Sequence, residues 1–247
     1  MVNIDDYINK SFINPYLNSV AFEIRFPASV SIIKDFSEFQ DLINDKYPNF
    51  AEEVPFLDLS DKIKTSESLR KYLFSDNGEK NKIRLSINAL TIITSEYHQF
   101  SDFKAQVDDI IKAFSRSFNV ENCIRMGLRY INVYSLDSDL TKSISIIKEL
   151  FIPFYNLELI PIDDVFSNNI EIRKNLTESE MITLRSKLQF NKTKENYEYI
   201  LDFDVYNYDK TPLVNYESFF VKLRNAEKSE FLRFVTESFI EKMKFID

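Results

Sequence analysis

Two kinds of hydrophobic periodicity follow one another in the same order twice along this chain, and this repeat constrains the fold more than any other sequence feature. In each half, a run with every second residue apolar precedes a helical pattern, three further strand-like runs and a long amphipathic helix. We therefore predict an α+β protein made of two β-α-β-β-β-α halves, a pseudo-duplication. Its strands are expected to form an antiparallel sheet with helices packed on one face.

The predicted boundaries follow from this element order. An N-terminal segment covers 1–18, the first half covers 19–118 and the second half covers 119–247. We expect the two halves to form one compact unit. The other face of the sheet is left to solvent or to a partner.

The first half starts with the strand SVAFEIRF and has predicted helices at about 37–47 and 101–118. Ser37 and Gln40 have the spacing of a capping box at the start of the first of these helices. The turn between two of its strands contains Asn77-Gly78, which predicts positive backbone φ angles at these residues.

The second half starts with IRMGLRYINVYSL. A helix at about 139–151 follows, and then come the strands NIEIRKN, MITLRSKLQF and YEYILDFDVYNYD. The last helical region, at about 214–244, is expected to break near NAEKSE if it is interrupted.

Composition excludes several classes of protein. Hydrophobic residues make up 44% of the chain, enough for a large core, but no apolar run is long enough to span a bilayer. The net charge of -8 makes a nucleic-acid partner unlikely, because phosphate binding depends on clustered basic residues. With only two glycines the chain has no phosphate-cradling loop. A single cysteine and the absence of a secretory signal indicate a cytoplasmic protein.

Strand alternation places Arg125, Gly127 and Arg129 on the same side of the central strand. The missing side chain at Gly127 predicts a notch between two guanidinium groups, or a bulge or close contact at the glycine itself. Other charged residues expected on open strand faces, all candidates for a binding surface, are Glu23, Arg25, Arg185, Asp202 and Asp204. They predict either cross-strand ion pairs on a solvated face or a mixed-charge surface that binds a partner.

Catalytic signals are weak. His98 is the only histidine and is expected at a strand end on the surface, whereas Cys123 is expected to be buried as a small hydrophobic residue. No cofactor or metal site is predicted, and no catalytic residue is assigned. The alternative is a small-ligand-binding or metal-dependent, nuclease-like domain that uses Asp202 and Asp204, which lie two residues apart on one strand face. A nuclease would also be expected to have a lysine where this chain has Arg173, after Glu171.

Four segments carry a resemblance: NPYLNSVAFEIRFP, YPNF, IRMGLRYINVYSL and ILDFDVY. Together they resemble a sporadically distributed bacterial family of similar length, with a central R-x-G-L-R-Y-I-N motif and Met126 at a position where isoleucine is usual. The resemblance implies no catalytic residues. Its patchy distribution is typical of mobile genetic islands, which include phage-defence and toxin–antitoxin loci.

The sequence therefore favours a non-enzymatic protein-binding module. It would serve as an antitoxin, a chaperone-like protein or an accessory component of a bacterial anti-phage or toxin–antitoxin system. The expected partner is another protein, and a homodimer is among the assemblies that this allows. If the surface lies around Arg125, Gly127 and Arg129, Arg129→Ala is expected to abolish partner binding without unfolding the chain.

Overall fold

The computed structural model describes residues 3–53, 70–152 and 167–246. The strands are β1 Ser11–Phe12, β2 Leu17–Arg25, β3 Asn49–Glu53, β4 Lys71–Ser75, β5 Asn81–Ser86, β6 Ala89–Thr94, β7 Asn122–Cys123, β8 Arg125–Ser135, β9 Ser167–Asn175, β10 Glu180–Asn191, β11 Asn196–Asn207, β12 Thr211–Pro212 and β13 Phe245–Ile246. The helices are α1 Val30–Lys34, α2 Ser37–Ile43, α3 Phe100–Ser117, α4 Leu140–Leu150, α5 Tyr216–Arg233 and α6 Glu237–Met243, with short 3-10 helices at Ile4–Asp6 and Leu213–Asn215.

Nine of the strands form one antiparallel sheet in the order β3-β4-β5-β6-β2-β8-β11-β10-β9, with helices packed against it. The predicted α+β class is thus confirmed. Within the first half the strand order is β4-β5-β6-β2, and within the second half it is the equivalent β9-β10-β11-β8. This common order agrees with a duplicated β-α-β-β-β-α arrangement; β3 and α1 are additional elements of the first half.

The chain divides into two compact units. Unit I contains Ser19–Gly127 and Asn207–Phe220, and unit II contains Met1–Asn18, Leu128–Tyr206 and Val221–Asp247. Strands β2 and β8 each contribute residues to both units. Across the described segments, every helix is too short or too polar to cross a bilayer.

The core of unit I is rich in phenylalanine. Phe22 of β2 is fully buried and its ring centroid lies 4.6 Å from that of Phe220 on α5. Helix α3 buries an apolar stripe at helical spacing, which includes Phe103, Val107, Ile110, Ile111 and Phe114. Helix α2 is shorter than the predicted helix at about 37–47, because it ends at Ile43. The expected capping box is also wrong, since no side chain caps the start of this helix. Instead, the Asp35 carboxylate accepts hydrogen bonds from the Ser37 backbone and hydroxyl.

The core of unit II is built around Phe151. Its ring centroid lies 4.6 Å from that of Phe239 and 4.9 Å from that of Tyr199. The C-terminal helical region is interrupted after Arg233. Thr236 is the N-cap residue of α6, and its hydroxyl accepts a bond from the Phe239 backbone N–H. The predicted break near 225–230 is therefore wrong. Helix α5 continues through this segment to Arg233, and the next helix starts only after its N-cap residue, Thr236.

The turn between β4 and β5 also differs from its sequence-based expectation. Neither Gly78 nor Gly127 has a positive φ, and the left-handed residue of the turn is Glu79, at φ 54°. The carboxylate of Asp76 holds the turn by accepting bonds from the backbone N–H groups of Lys80 (2.8 Å) and Asn81 (3.2 Å). An aspartate that bonds the backbone beyond it stabilises a turn without requiring glycine geometry.

Candidate functional site

In unit II, the charged face of β11 is set by strand alternation. Leu201, Phe203 and Val205 are buried in the core, and Asp202 and Asp204 point to the opposite face. Neighbouring strand β8 brings Arg129 to the same face, where its guanidinium meets Asp202 in a fork. The two bonds run from Nε to Oδ1 at 2.8 Å and from Nη2 to Oδ2 at 2.6 Å.

Asp202 also accepts a bond from a second arginine, and this extends the charged face across β10 and β9. Arg185 Nη1 lies 3.1 Å from Asp202 Oδ2, and Arg185 Nε lies 2.7 Å from Glu171 Oε2. Glu171 stands directly opposite Arg185 in the β9–β10 pairing and also accepts a bond from Arg173 Nε at 2.8 Å. We call these five residues, Arg129, Asp202, Arg185, Glu171 and Arg173, the arginine network.

Burial differs sharply within the arginine network. The side chain of Asp202 is only 7% exposed, whereas those of Arg129 and Arg173 are 44% and 63% exposed. Hydrogen bonds from Arg185 and then Arg173 hold the pKa of Glu171 below its usual range. Burial acts to lower the pKa of Arg185, but its bonds to Glu171 and Asp202 raise it overall. Glu171 and Arg185 therefore stay ionised. The carboxylates of the network fix the positions of partly exposed guanidinium groups.

A separate charged cluster lies in unit I, on β2 and the start of β8. Glu23 Oε1 accepts bonds from Arg125 Nη1 and Arg25 Nε, both at 2.7 Å, and Glu23 Oε2 accepts one from the Thr91 hydroxyl at 3.3 Å. A Cβ added at Gly127 would lie 2.7 Å from Arg125 Nη1. The space left by the glycine is thus occupied by the guanidinium of its own strand neighbour.

The predicted binding residues consequently fall into two groups. Arg125, Gly127, Glu23 and Arg25 meet in unit I, whereas Arg129 and Asp202 meet in unit II. Asp204 is half-buried on the Asp202 face of β11. The sequence predicted that Arg185 lies on an open face, but Glu171 and Arg173 were considered only for a nuclease site. Glu171 and Arg173 lie two residues apart in β9 and therefore on the same face of the strand, and this spacing is the sequence signal that could have placed them beside Arg185.

The structure adds little in support of catalysis. Cys123 is fully buried, as predicted, and burial raises the pKa of its thiol to about 12, which keeps it un-ionised and unreactive. His98 is exposed just after β6, also as predicted. Within residues 3–53, 70–152 and 167–246, no three His, Cys, Asp or Glu side chains are grouped so that they could hold a metal. A cation at Asp202 would have to compete with Arg129 and Arg185.

Comparison with known proteins gives no family. No family model matches the chain, and no curated protein matches it. One solved structure that aligns with it is the di-domain ARO/CYC StfQ from the steffimycin biosynthetic pathway, at 8% identity over 91% of this chain and 98% of that chain. The TM-score of this superposition is 0.18, too low to inform either fold or function.

Proposed function

We propose that this protein is a non-enzymatic protein-binding module and that the arginine network of unit II is its contact surface. The observation that carries this proposal is the combination of a buried carboxylate with exposed guanidinium groups. Asp202 is 7% exposed, while Arg129, which it holds with two bonds, is 44% exposed. Arginine is favoured at protein interfaces because its planar group can form forked bonds to carboxylates.

Preorganisation is the physical reason why this surface suits binding. A flexible surface arginine loses rotamer freedom when a partner immobilises it, and this loss weakens association. In the arginine network, Glu171 and Asp202 already restrict Arg185, and Glu171 restricts Arg173. A partner protein that offers carboxylates to these guanidinium groups therefore loses less entropy on binding.

Arg173→Ala is a sharper test of the surface than Arg129→Ala. Arg173 is 63% exposed, and its removal leaves Glu171 bonded to Arg185, so the fold is expected to tolerate the change. Proteins captured from cells that naturally express the chain would be identified, purified and measured by titration calorimetry. We expect Arg173→Ala to weaken the complex by about tenfold, which corresponds to about 1.4 kcal/mol.

Arg116→Ala provides the matched control. Arg116 is an exposed arginine on α3 in unit I, so its removal changes the net charge equally but leaves the arginine network intact. Its complex is expected to keep wild-type affinity. A purified partner that binds both variants equally well would place the contact surface elsewhere.

The biological role that we propose follows from the family resemblance of the sequence. We propose that the module acts in the bacterial cytoplasm as an antitoxin, chaperone-like or accessory component of an anti-phage or toxin–antitoxin system. A toxin or nuclease encoded beside its gene would be the partner to test first. Co-expression should relieve the toxicity of that neighbour, and Arg173→Ala should reduce the relief.

A further inference from the structure

A pocket of about 540 Å³ opens in unit I, and none of the residues of the charged clusters described above lines it. It lies between the N-terminal half of α3, the chain that follows α2, the β4–β5 turn and the segment after β6. Its volume lies within the range of about 300–1,000 Å³ typical of small-molecule sites. Phe103 and Ile110, each 2% exposed, provide an apolar wall.

A buried hydroxyl lines this pocket, and its hydrogen has no acceptor among the residues that the structure describes. Tyr47 is 5% exposed, and its Oη accepts a bond from Gln106 Nε2 at 2.8 Å. A chain of hydrogen bonds fixes the orientation of the Gln106 side-chain amide. Asn81 Nδ2 donates to Asp76 Oδ2, so Asn81 Oδ1 is free to accept a bond, and Gln106 Nε2 donates to it. Tyr47 must therefore act as acceptor towards Gln106, and no described residue accepts the hydrogen of the Tyr47 hydroxyl.

The rim of the pocket is acidic. It carries four carboxylates, Asp76, Glu96, Asp102 and Asp109, against one lysine, Lys46, which pairs with Asp109 at 2.7 Å. No described residue forms an ion pair with Glu96, an exposed residue at the mouth. Burial first, and then the charges of Asp76 and Asp109 against the effect of the Gln106 bond, raise the pKa of Tyr47 to about 12. The hydroxyl therefore stays protonated at neutral pH and keeps its hydrogen for a ligand.

We propose that this pocket binds a small organic cation that combines a flat apolar ring with a hydrogen-bond acceptor. The ring packs against Phe103 and Ile110, and the acceptor takes the Tyr47 hydrogen. The positive group lies at the acidic rim, near Glu96. This ligand site is independent of the protein-binding surface proposed for unit II.

Two compounds of nearly equal size test the proposal by their charge. Tyramine is a phenol with an ammonium group, whereas phloretate is a phenol with a carboxylate. Amide chemical shifts of the full chain would be followed by NMR as each compound is added to millimolar concentration. We expect saturable shifts around Tyr47, Phe103 and Gln106 with tyramine, and none with phloretate because the rim repels it.

Variants then separate the two polar contacts. Tyr47→Phe removes the donor but keeps the ring, and should weaken tyramine binding by about two- to tenfold. Glu96→Gln removes one rim charge and should weaken binding by about two- to fivefold. Asp41→Asn makes the same charge change at an exposed position of α2 outside the pocket and should leave tyramine binding unchanged. Equal responses to both compounds, no shifts with tyramine, or unchanged affinity in folded Tyr47→Phe and Glu96→Gln would overturn the proposal.

Discussion

Arg129 and Asp202 meet across neighbouring strands through two hydrogen bonds, at 2.8 and 2.6 Å, with the carboxylate buried and the guanidinium half in solvent. This geometry gives Arg129 two roles, because it neutralises a buried charge and also presents a fixed cation at the surface. Arg185 supplies a third, longer bond of 3.1 Å to the same carboxylate. A change at Arg129 therefore acts on stability as well as on binding.

Arg129→Ala is expected to lower the free energy of unfolding by about 1–3 kcal/mol, because Arg185 is then the one described residue that still donates a bond to Asp202. Arg129→Lys should recover part of this loss, since lysine restores the charge but cannot form the fork. Urea unfolding of both variants measures the difference. In a double-mutant cycle, Arg129→Ala should destabilise the Asp202→Asn variant less than it destabilises the wild type. Purely additive effects would show that the pair is not coupled.

Gly127→Ala tests the contact between the glycine and Arg125. The added Cβ would lie 2.7 Å from Arg125 Nη1, and the three closest atoms all belong to the Arg125 side chain. The guanidinium must move and loosen its 2.7 Å bond to Glu23, so we expect the free energy of unfolding to fall by about 1 kcal/mol.

The Arg125→Ala background is the control for this substitution. There the obstacle is gone and the φ of Gly127 suits any residue, so Gly127→Ala should be neutral or stabilising by up to about 1 kcal/mol. Equal destabilisation in both backgrounds, measured by urea unfolding, would mean that another contact requires the glycine.

Strand alternation made much of this fold predictable. Phe22 and Ile24 are fully buried because every second residue of β2 faces the core, and the α3 stripe follows its helical spacing in the same way. Both patterns are local. The role of Gly127 could not be predicted, because it depends on how the Arg125 side chain folds back over its own strand.

Long-range features escaped prediction for a related reason. The pocket of unit I assembles Tyr47, Asp76, Glu96 and Gln106 from four separate parts of the chain, and no periodicity connects them. The break between α5 and α6 did have a signal, since Thr236 is a favourable N-cap residue.

The β4–β5 turn offers a direct comparison of two adjacent residues. Glu79 has a φ of 54°, a conformation in which a side chain costs about 1 kcal/mol, whereas Gly78 has no positive φ. Glu79→Gly is thus expected to stabilise the protein by about 0.5 kcal/mol, and Gly78→Ala to change stability by less than about 0.5 kcal/mol, because its added Cβ lies 3.5 Å from the nearest atom. Urea unfolding measures both, and the opposite ranking would favour the glycine-dependent turn expected from the sequence.

Glu227, buried on α5, predicts a pH dependence of stability. Burial raises its pKa to about 8 against the lowering effect of Arg224 and Lys228, whereas the unfolded chain releases this proton near pH 4.5. At Glu227 the folded state therefore binds more protons between these values, so the contribution of Glu227 to the free energy of unfolding falls as pH rises from about 4.5 to 8. Burial lowers the pKa of the neighbouring Lys228 to about 7, and this group acts in the opposite direction only above about pH 7. Glu227→Gln should stabilise the protein by about 1 kcal/mol or more at pH 8 and little at pH 5, as measured by urea unfolding. The exposed Glu241→Gln should show no such contrast, and equal effects of Glu227→Gln at both pH values would contradict the raised pKa.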